Sequence, residues 1–259
     1  MDKWLLIKKQ FEYWIKAQSN LYIHSPFVFE FYNEILKPPI PKINPIEALR
    51  TQLKQNNERI EVTDFGAGSH TKSNLRKISE IAKNATVSRK FGYLLNRLIA
   101  LYKLNNVLEL GTNLGLGTAY LAMDNSTSNI ISIEGCPRLT AIAKQNHQAL
   151  GYNNIKYINA EFGVGINQAL KILNHKVDLA YLDGNHQYQP TVDYFNLLLP
   201  HLNENSILVF DDIYWSKGMM RAWQELKAKK EVRLSIDLYR MGLLFFKTDQ
   251  AKEHFVLKF

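Results

Sequence analysis

The sequence predicts an α/β fold: a doubly wound, mostly parallel seven-stranded sheet that ends in an antiparallel hairpin, with a helical extension at its N-terminal side. Three observations predict it. From Asn105 onward, short apolar runs alternate five times with amphipathic stretches; two more strand-like runs then follow with almost nothing between them; and the first hundred residues carry helical stripes in place of that alternation. Repeated strand–helix units call for parallel strands covered on both faces, whereas strands joined by a few residues can only pair antiparallel.

In chain order, "WLLIKKQFEYWIKAQ" places Trp4, Ile7, Phe11, Trp14 and Ile15 on one helical stripe, and "SPFVFEFYNEIL" repeats the style before the break "KPPIPKINP". The stripe suits packing against the main domain or a second copy of the chain, so a homodimer through these helices is one expectation; a membrane-surface helix is another. Residues 1–103 are read as a helical N-terminal extension that serves as a lid or for substrate or oligomer contacts, and residues 104–259 as the main domain. "DFGAGS" is read as a tight turn and helix cap, with Ser69 as N-cap, followed by the polar, helical "SHTKSNLRKISEIAKNA". The five units are "NVLEL" with "GTAYLAM", "NIISIE" with "PRLTAIAKQNHQAL", "IKYINA" with "GINQALKIL", "VDLAYLD" with "TVDYFNLLLPHL", and "SILVFDD" with "MMRAWQELKAKK". "EVRLSIDLY" and "GLLFFK" close the sheet as a hairpin.

Composition narrows the classes. With 259 residues, 46% of them hydrophobic, the chain can bury one sizeable core, and its 13 Gly and 8 Pro give no low-complexity segment. The single cysteine, Cys136, excludes an internal disulfide and any multi-cysteine metal site, which fits a reducing compartment, so a cytoplasmic protein is expected. Neither a signal peptide nor a membrane-spanning run is read in the sequence. The net charge of +8 is spread along the chain, densest at "KAKK", Lys227 to Lys230. That distribution describes a solvated helix face better than a nucleic-acid groove.

Two glycine-rich loops compete for a ligand. A nucleotide-type loop needs a strand ending at the glycines, a helix starting after them, and a second strand ending in an acid for two ribose hydroxyls. Only "NNVLELGTNLGLGTAYLA" has all three, because "NIISIEG" delivers Glu134 a little over twenty residues on. The glycines at 111, 115 and 117 miss the dinucleotide spacing, and Glu109 would repel a pyrophosphate. A carboxylate there suits a cationic ligand, and S-adenosylmethionine carries a sulfonium and an ammonium.

"VLELGTNLGLGTAYLA", "IISIEG", "INAEFGVGI", "AYLDGNHQY" and "ILVFDDIYWS", in that order, resemble the successive motifs of the class I S-adenosylmethionine-dependent methyltransferases, a Rossmann-like family. They are most similar to the bacterial branch related to catechol and caffeoyl-coenzyme A O-methyltransferases. The resemblance implies that Glu109, Gly111, Thr112, Asn113 and Gly115 surround the methionine end of the cofactor and that Glu134 holds the ribose. It places Gly135, Glu161 and Phe162 at the adenine, with Cys136 a packing residue, and Asp183 beside the cofactor. His186 stands where those relatives carry a lysine base. With Asp183 it becomes the candidate catalytic pair, or else it only bonds the cofactor or the loop backbone. Asp183, Asp211 and Asp212 stand where the catechol-type relatives hold a divalent ion, and as all-oxygen ligands they would suit Mg2+, Mn2+ or Ca2+. The expected acceptor is a small molecule methylated on oxygen, with Tyr214, Trp215 and Met219 walling its pocket or filling the core. A non-catalytic cofactor-binding module and a nicotinamide-dependent oxidoreductase remain as alternatives.

Overall fold

The computed structural model describes residues 3–63, 74–249 and 251–259. The chain forms two compact units, one made of Met1–Pro38 with His175–Phe259 and the other of Pro39–Asn174.

The first unit begins with α1 (Lys3–Lys16) and α2 (Pro26–Phe31), the latter running on into one π-helical turn, Tyr32–Leu36. α2 starts where Pro26 presets the helical φ at a position that needs no donor. It buries Val28 and Phe31, and the Phe31 ring meets Phe245 edge-on at 6.0 Å. The stripe on α1 packs on nothing within this unit: Trp4, Ile7, Phe11, Trp14 and Ile15 are all at least 60% exposed. Its opposite side is anchored instead, with the Tyr13 hydroxyl donating to the Leu257 carbonyl at 2.6 Å.

The second unit opens with α3 (Pro45–Gln55), whose Asn44 cap accepts the Ile46 amide at 2.7 Å. A two-stranded antiparallel ribbon follows, β1 (Arg59–Glu61) against β2 (Leu75–Lys77), with Ile60 opposite Arg76. β2 corrects the helical reading of "SNLRK": three residues extend before α4 (Ile78–Asn84) starts. The glycine pair Gly66 and Gly68, and Ser69, lie outside the described residues. α5 (Arg89–Tyr102) then buries Leu94, Leu95 and Leu98. Next come β3 (Asn106–Leu110), α6 (Leu116–Ala122), β4 (Asn129–Glu134), α7 (Pro137–Ala149), β5 (Ile155–Asn159) and α8 (Phe162–Ile172). β3 and β5 both run parallel to β4, with Glu109 level with Ser132 and Glu134 level with Asn159.

The first unit resumes with β6 (Leu179–Leu182), α9 (Tyr188–Leu198), β7 (Ile207–Phe210), α10 (Lys217–Ala228), β8 (Leu234–Asp237), β9 (Gly242–Phe245) and β10 (Glu253–Val256). β6 and β7 are parallel and wholly buried, as continuous apolar runs covered on both faces should be. The hairpin is as expected: β8 and β9 are antiparallel, and β9 also pairs antiparallel with β7. The fold therefore is α/β and mostly parallel, but with eight strands, not seven. The extra one, β10, pairs parallel with β8 and reads only "EHFV", too short and too polar to announce itself. Beyond it, Gln18 clasps the C-terminal segment, donating to the Val256 carbonyl at 2.8 Å and accepting from the Lys258 amide at 2.9 Å. Among the described residues no helix is long and apolar enough to cross a membrane.

Candidate functional site

In the second unit, β3 delivers Glu109 to the glycine loop fully buried. One of its oxygens, Oε2, accepts from the Ser132 hydroxyl at 2.5 Å and from the Thr118 hydroxyl. Ser132 in turn accepts from Thr112 at 2.5 Å, since its own proton is spent on the carboxylate. The other oxygen, Oε1, is buried without a hydrogen-bond partner among the described residues. Burial pushes the carboxyl up to about 7 against the pull of the two hydroxyls, and the charge of Glu134 adds to the rise.

The loop after β3 turns on left-handed residues. Gly111 has φ 102°, Asn113 φ 52° and Gly115 φ 85°. The Gly111 amide reaches the Ile133 carbonyl at 2.9 Å, which ties the loop to β4, and the Asn113 side chain donates to Ala85. At Gly115 a Cβ would stand 2.6 Å from His147 Nε2, so this position excludes any side chain on two counts. His147 is buried on α7. Its Nε2 faces the Gly115 carbonyl at 2.7 Å and must therefore carry the proton, which leaves Nδ1 to accept from the Tyr157 hydroxyl. Burial lowers this imidazole to about 4, keeping it neutral.

Glu134 ends β4 with both oxygens engaged: Oε2 accepts the Asn113 amide and Oε1 the Cys136 amide, each at 2.9 Å. It thus joins the glycine loop to the turn that follows its own strand. The Asn159 side chain holds that turn by donating to the Glu134 and Gly135 carbonyls at 2.7 and 3.2 Å. Cys136 is buried, a packing residue. Glu161 caps α8 from an exposed position and Phe162, half-buried, begins the helix.

In the first unit the acids gather at the strand ends. Asp183 follows β6, and its Oδ2 accepts from the Tyr181 hydroxyl at 2.9 Å. His186 Nε2 lies 3.8 Å from Asp183 Oδ1, an ion-pair distance too long for a hydrogen bond. Asp211 and Asp212 would face opposite ways on a regular strand. Asp212, however, sits at φ 51°, so the chain turns as it leaves β7 and both acids meet one cation, Arg240. Burial and the charges of Asp211 and Asp212 push Asp183 well above the carboxylate range, and burial and Asp211 raise Asp212. Burial opposes the charge on Arg240, but Asp211 and Asp212 hold its pKa higher still.

Arg240 decides the fit of an ion. Its Nε and Nη2 donate to the two Asp211 oxygens at 3.1 Å each, and Nε is 3.6 Å from Asp212 Oδ1. Among the described residues no group of three or more His, Cys, Asp or Glu is disposed to hold a metal. The expected Asp183, Asp211 and Asp212 ligand set does not fit Mg2+ or Mn2+ as these residues stand.

Of the proposed pocket walls, Met219 is core and Tyr214 donates to Asp237 at 2.5 Å. Trp215 is 41% exposed, its ring 6.3 Å from that of His186. Thr118, Ser132, His147, Tyr181 and Arg240 were not singled out in the sequence. Thr118 and Ser132 had a signal, being polar residues inside apolar runs; Arg240 lies in a hairpin turn that no motif marks.

Residues 108–213 match a family described as a methyltransferase domain. An uncharacterised protein of Acanthamoeba polyphaga mimivirus is 28% identical over 131 residues, which cover 47% of this chain and 58% of that protein. The match thus spans little more than half of the relative's length. The cofactor-bound protein Rv0187 from MTB aligns with a TM-score of 0.62 at 16% identity, over 87% of this chain and 98% of that one. An O-methyltransferase from Bacillus cereus in complex with SAH aligns with a TM-score of 0.58 at 18% identity, over 85% and 97%. At these identities the solved structures speak for the fold. Residues 108–213 are thus similar to a methyltransferase domain, and the chain shares its α/β fold with these two solved structures.

Proposed function

We propose that the chain transfers a methyl group from S-adenosylmethionine to a hydroxyl oxygen of a small-molecule acceptor. The observation that carries this reading is Glu109 Oε1, a buried carboxylate oxygen left without a donor at the head of the glycine loop. Such an atom costs stability unless a ligand supplies the donor, and a cationic ligand supplies it best. The bound cofactor brings a methyl group already activated on a sulfonium. Glu109, Gly111, Thr112, Asn113 and Gly115 hold its methionine end, Glu134 takes the ribose hydroxyls, and Gly135, Glu161 and Phe162 line the adenine side. Asp183 contributes to the cofactor and also to catalysis. His186 accepts the acceptor's hydroxyl proton, and Asp183 balances the resulting imidazolium.

Residues 1–103 serve this chemistry as an extension for acceptor or subunit contacts, and residues 104–259 carry it out. The exposed stripe on α1 supports pairing of two copies, which sedimentation of Trp14→Glu beside the parent decides; a cytoplasmic location and no part for nucleic acid belong to the same proposal. The test of the activity is incubation with S-adenosylmethionine and a panel of hydroxylated small molecules. We expect SAH release matched by acceptors heavier by one methyl group. Binding of a nicotinamide dinucleotide with no binding of S-adenosylmethionine or SAH would overturn the reading.

A further inference from the structure

The turn between β8 and β9 is built to hold one arginine. Asp237 takes the Tyr239 amide on Oδ1 at 2.8 Å, and Tyr239 sits at φ 67°. The Arg240 amide donates to Leu238 at 2.8 Å, and its carbonyl accepts from Ile213, just beyond Asp212, at 3.2 Å. The arginine is thus pinned by its backbone to the same segment whose acids it pairs with. Asp211, completely buried, spends both oxygens on the Arg240 guanidinium in a two-pronged bond.

That geometry is incompatible with an ion at the same acids. Magnesium or manganese would need carboxylate oxygens roughly 2.0–2.2 Å away and converging on one point. Here the convergence point is a guanidinium, which keeps its charge at any ordinary pH and has no equivalent in a lysine. A carboxylate buried as completely as Asp211 would be strongly destabilising without a counter-charge. This chain supplies its own. The third nitrogen, Nη1, makes no hydrogen bond among the described residues, and the side chain is 34% exposed.

We propose that Arg240 replaces a divalent ion in this site: it pairs with Asp211 and Asp212 and offers Nη1 to the acceptor's oxygen, so that the protein neither binds nor requires Mg2+ or Mn2+. The part concerning the acceptor rests on the methyl-transfer reading, whereas the part concerning the ion does not. A guanidinium proton on the acceptor oxygen favours the deprotonated hydroxyl, the role a Lewis acid would otherwise have, and the hydroxyl proton passes to His186.

The experiment is a manganese titration of chelator-treated protein followed by the electron paramagnetic resonance signal of free Mn2+. The native chain should leave that signal undiminished, while Arg240→Met, which frees the Asp211 oxygens, should bind Mn2+ at least about tenfold more tightly, or about 1.4 kcal/mol. Uptake of one equivalent of Mn2+ by the native protein overturns the proposal, as does a folded Arg240→Met protein that gains no affinity. Should Arg240→Met fail to fold, the native titration still decides, and Arg240→Lys, keeping the charge but not the fork, provides the second variant. Where both variants fold, the lysine variant should gain less affinity for Mn2+ than the methionine variant, and an equal gain counts against the proposal. SAH calorimetry on the native protein runs alongside: absence of SAH binding would sink the methyl-transfer reading and leave the manganese result intact.

Discussion

Glu109→Gln tests the centre of the proposed cofactor site, because it keeps the shape of the side chain and removes only the charge. Burial raises the native carboxyl to about 7. Roughly a tenth of it is then ionised at pH 6 and half at pH 7, so affinity for a cationic ligand that requires the ionised form should rise about fivefold across that unit. The stability consequence has the opposite sign. A carboxyl raised from 4.5 to about 7 binds its proton more tightly when folded, so its contribution is fully present below pH 4.5 and is lost as pH climbs through 7. The full loss is about 3 kcal/mol as an upper bound, taking ~1.4 kcal/mol per pKa unit. Calorimetry with SAH at pH 6 and pH 7 measures the first effect and urea unfolding at pH 5 and pH 8 the second. We expect the glutamine variant to bind weakly with no fivefold slope, and to gain stability relative to the native chain at pH 8 more than at pH 5. A variant that binds SAH as the native chain does, with the same slope, would refute the assignment of Glu109 to a cation.

The remaining expectations are simpler to read. Glu134→Ala should weaken SAH binding by about 1–3 kcal/mol, the scale for leaving hydroxyls without a charged acceptor; unchanged affinity by calorimetry removes it from the ribose. Gly115→Ala meets His147 at 2.6 Å and forces an L residue to φ 85°, which alone costs roughly 1–2 kcal/mol, so its urea midpoint should fall and its SAH affinity with it. His147, held near 4 by burial, contributes stability that is complete above pH 6.5 and lost as pH falls through 4. His147→Phe should therefore flatten the acid limb of the unfolding profile, and an unchanged limb would count against a buried neutral imidazole.

The sequence was most legible where periodicity and a motif coincided. β3 to β7 each fall on an apolar run that the sequence marks out, and Glu109 and Glu134 could be placed at or beside strand ends by counting. The antiparallel hairpin followed from the shortness of its connection. β10 was hidden because "EHFV" has neither alternation nor length, and β2 because polar residues before a helix look like its first turn. The acids Asp211 and Asp212 were visible, but their partner was not. Arg240 reaches them only because Tyr239 and Asp212 both take left-handed backbones, a feature common to few non-glycine residues and invisible to pattern reading. The glycine loop shows the reverse case: its φ values were implied by the glycines, while the imidazole that fills the space behind Gly115 comes from α7, thirty-two residues on.

The clasp at Gln18 has a consequence for how the chain is made. Residues 39–174 are continuous and can close into their own unit as they leave the ribosome, but the other unit joins α1 and α2 to strands that are translated some two hundred residues after them. Phe31 waits for Phe245, Gln18 for Val256 and Lys258, and Tyr13 for Leu257. At about 5–20 residues per second that interval is on the order of 10–40 s. For that time the aromatic face of α2 is bare in the cell and open to aggregation or to chaperone capture. Emergence of β8 to β10 and of the segment after them is then the event that lets the first unit close, so a ribosome stalled before them would hold residues 39–174 closed beside an unfolded remainder.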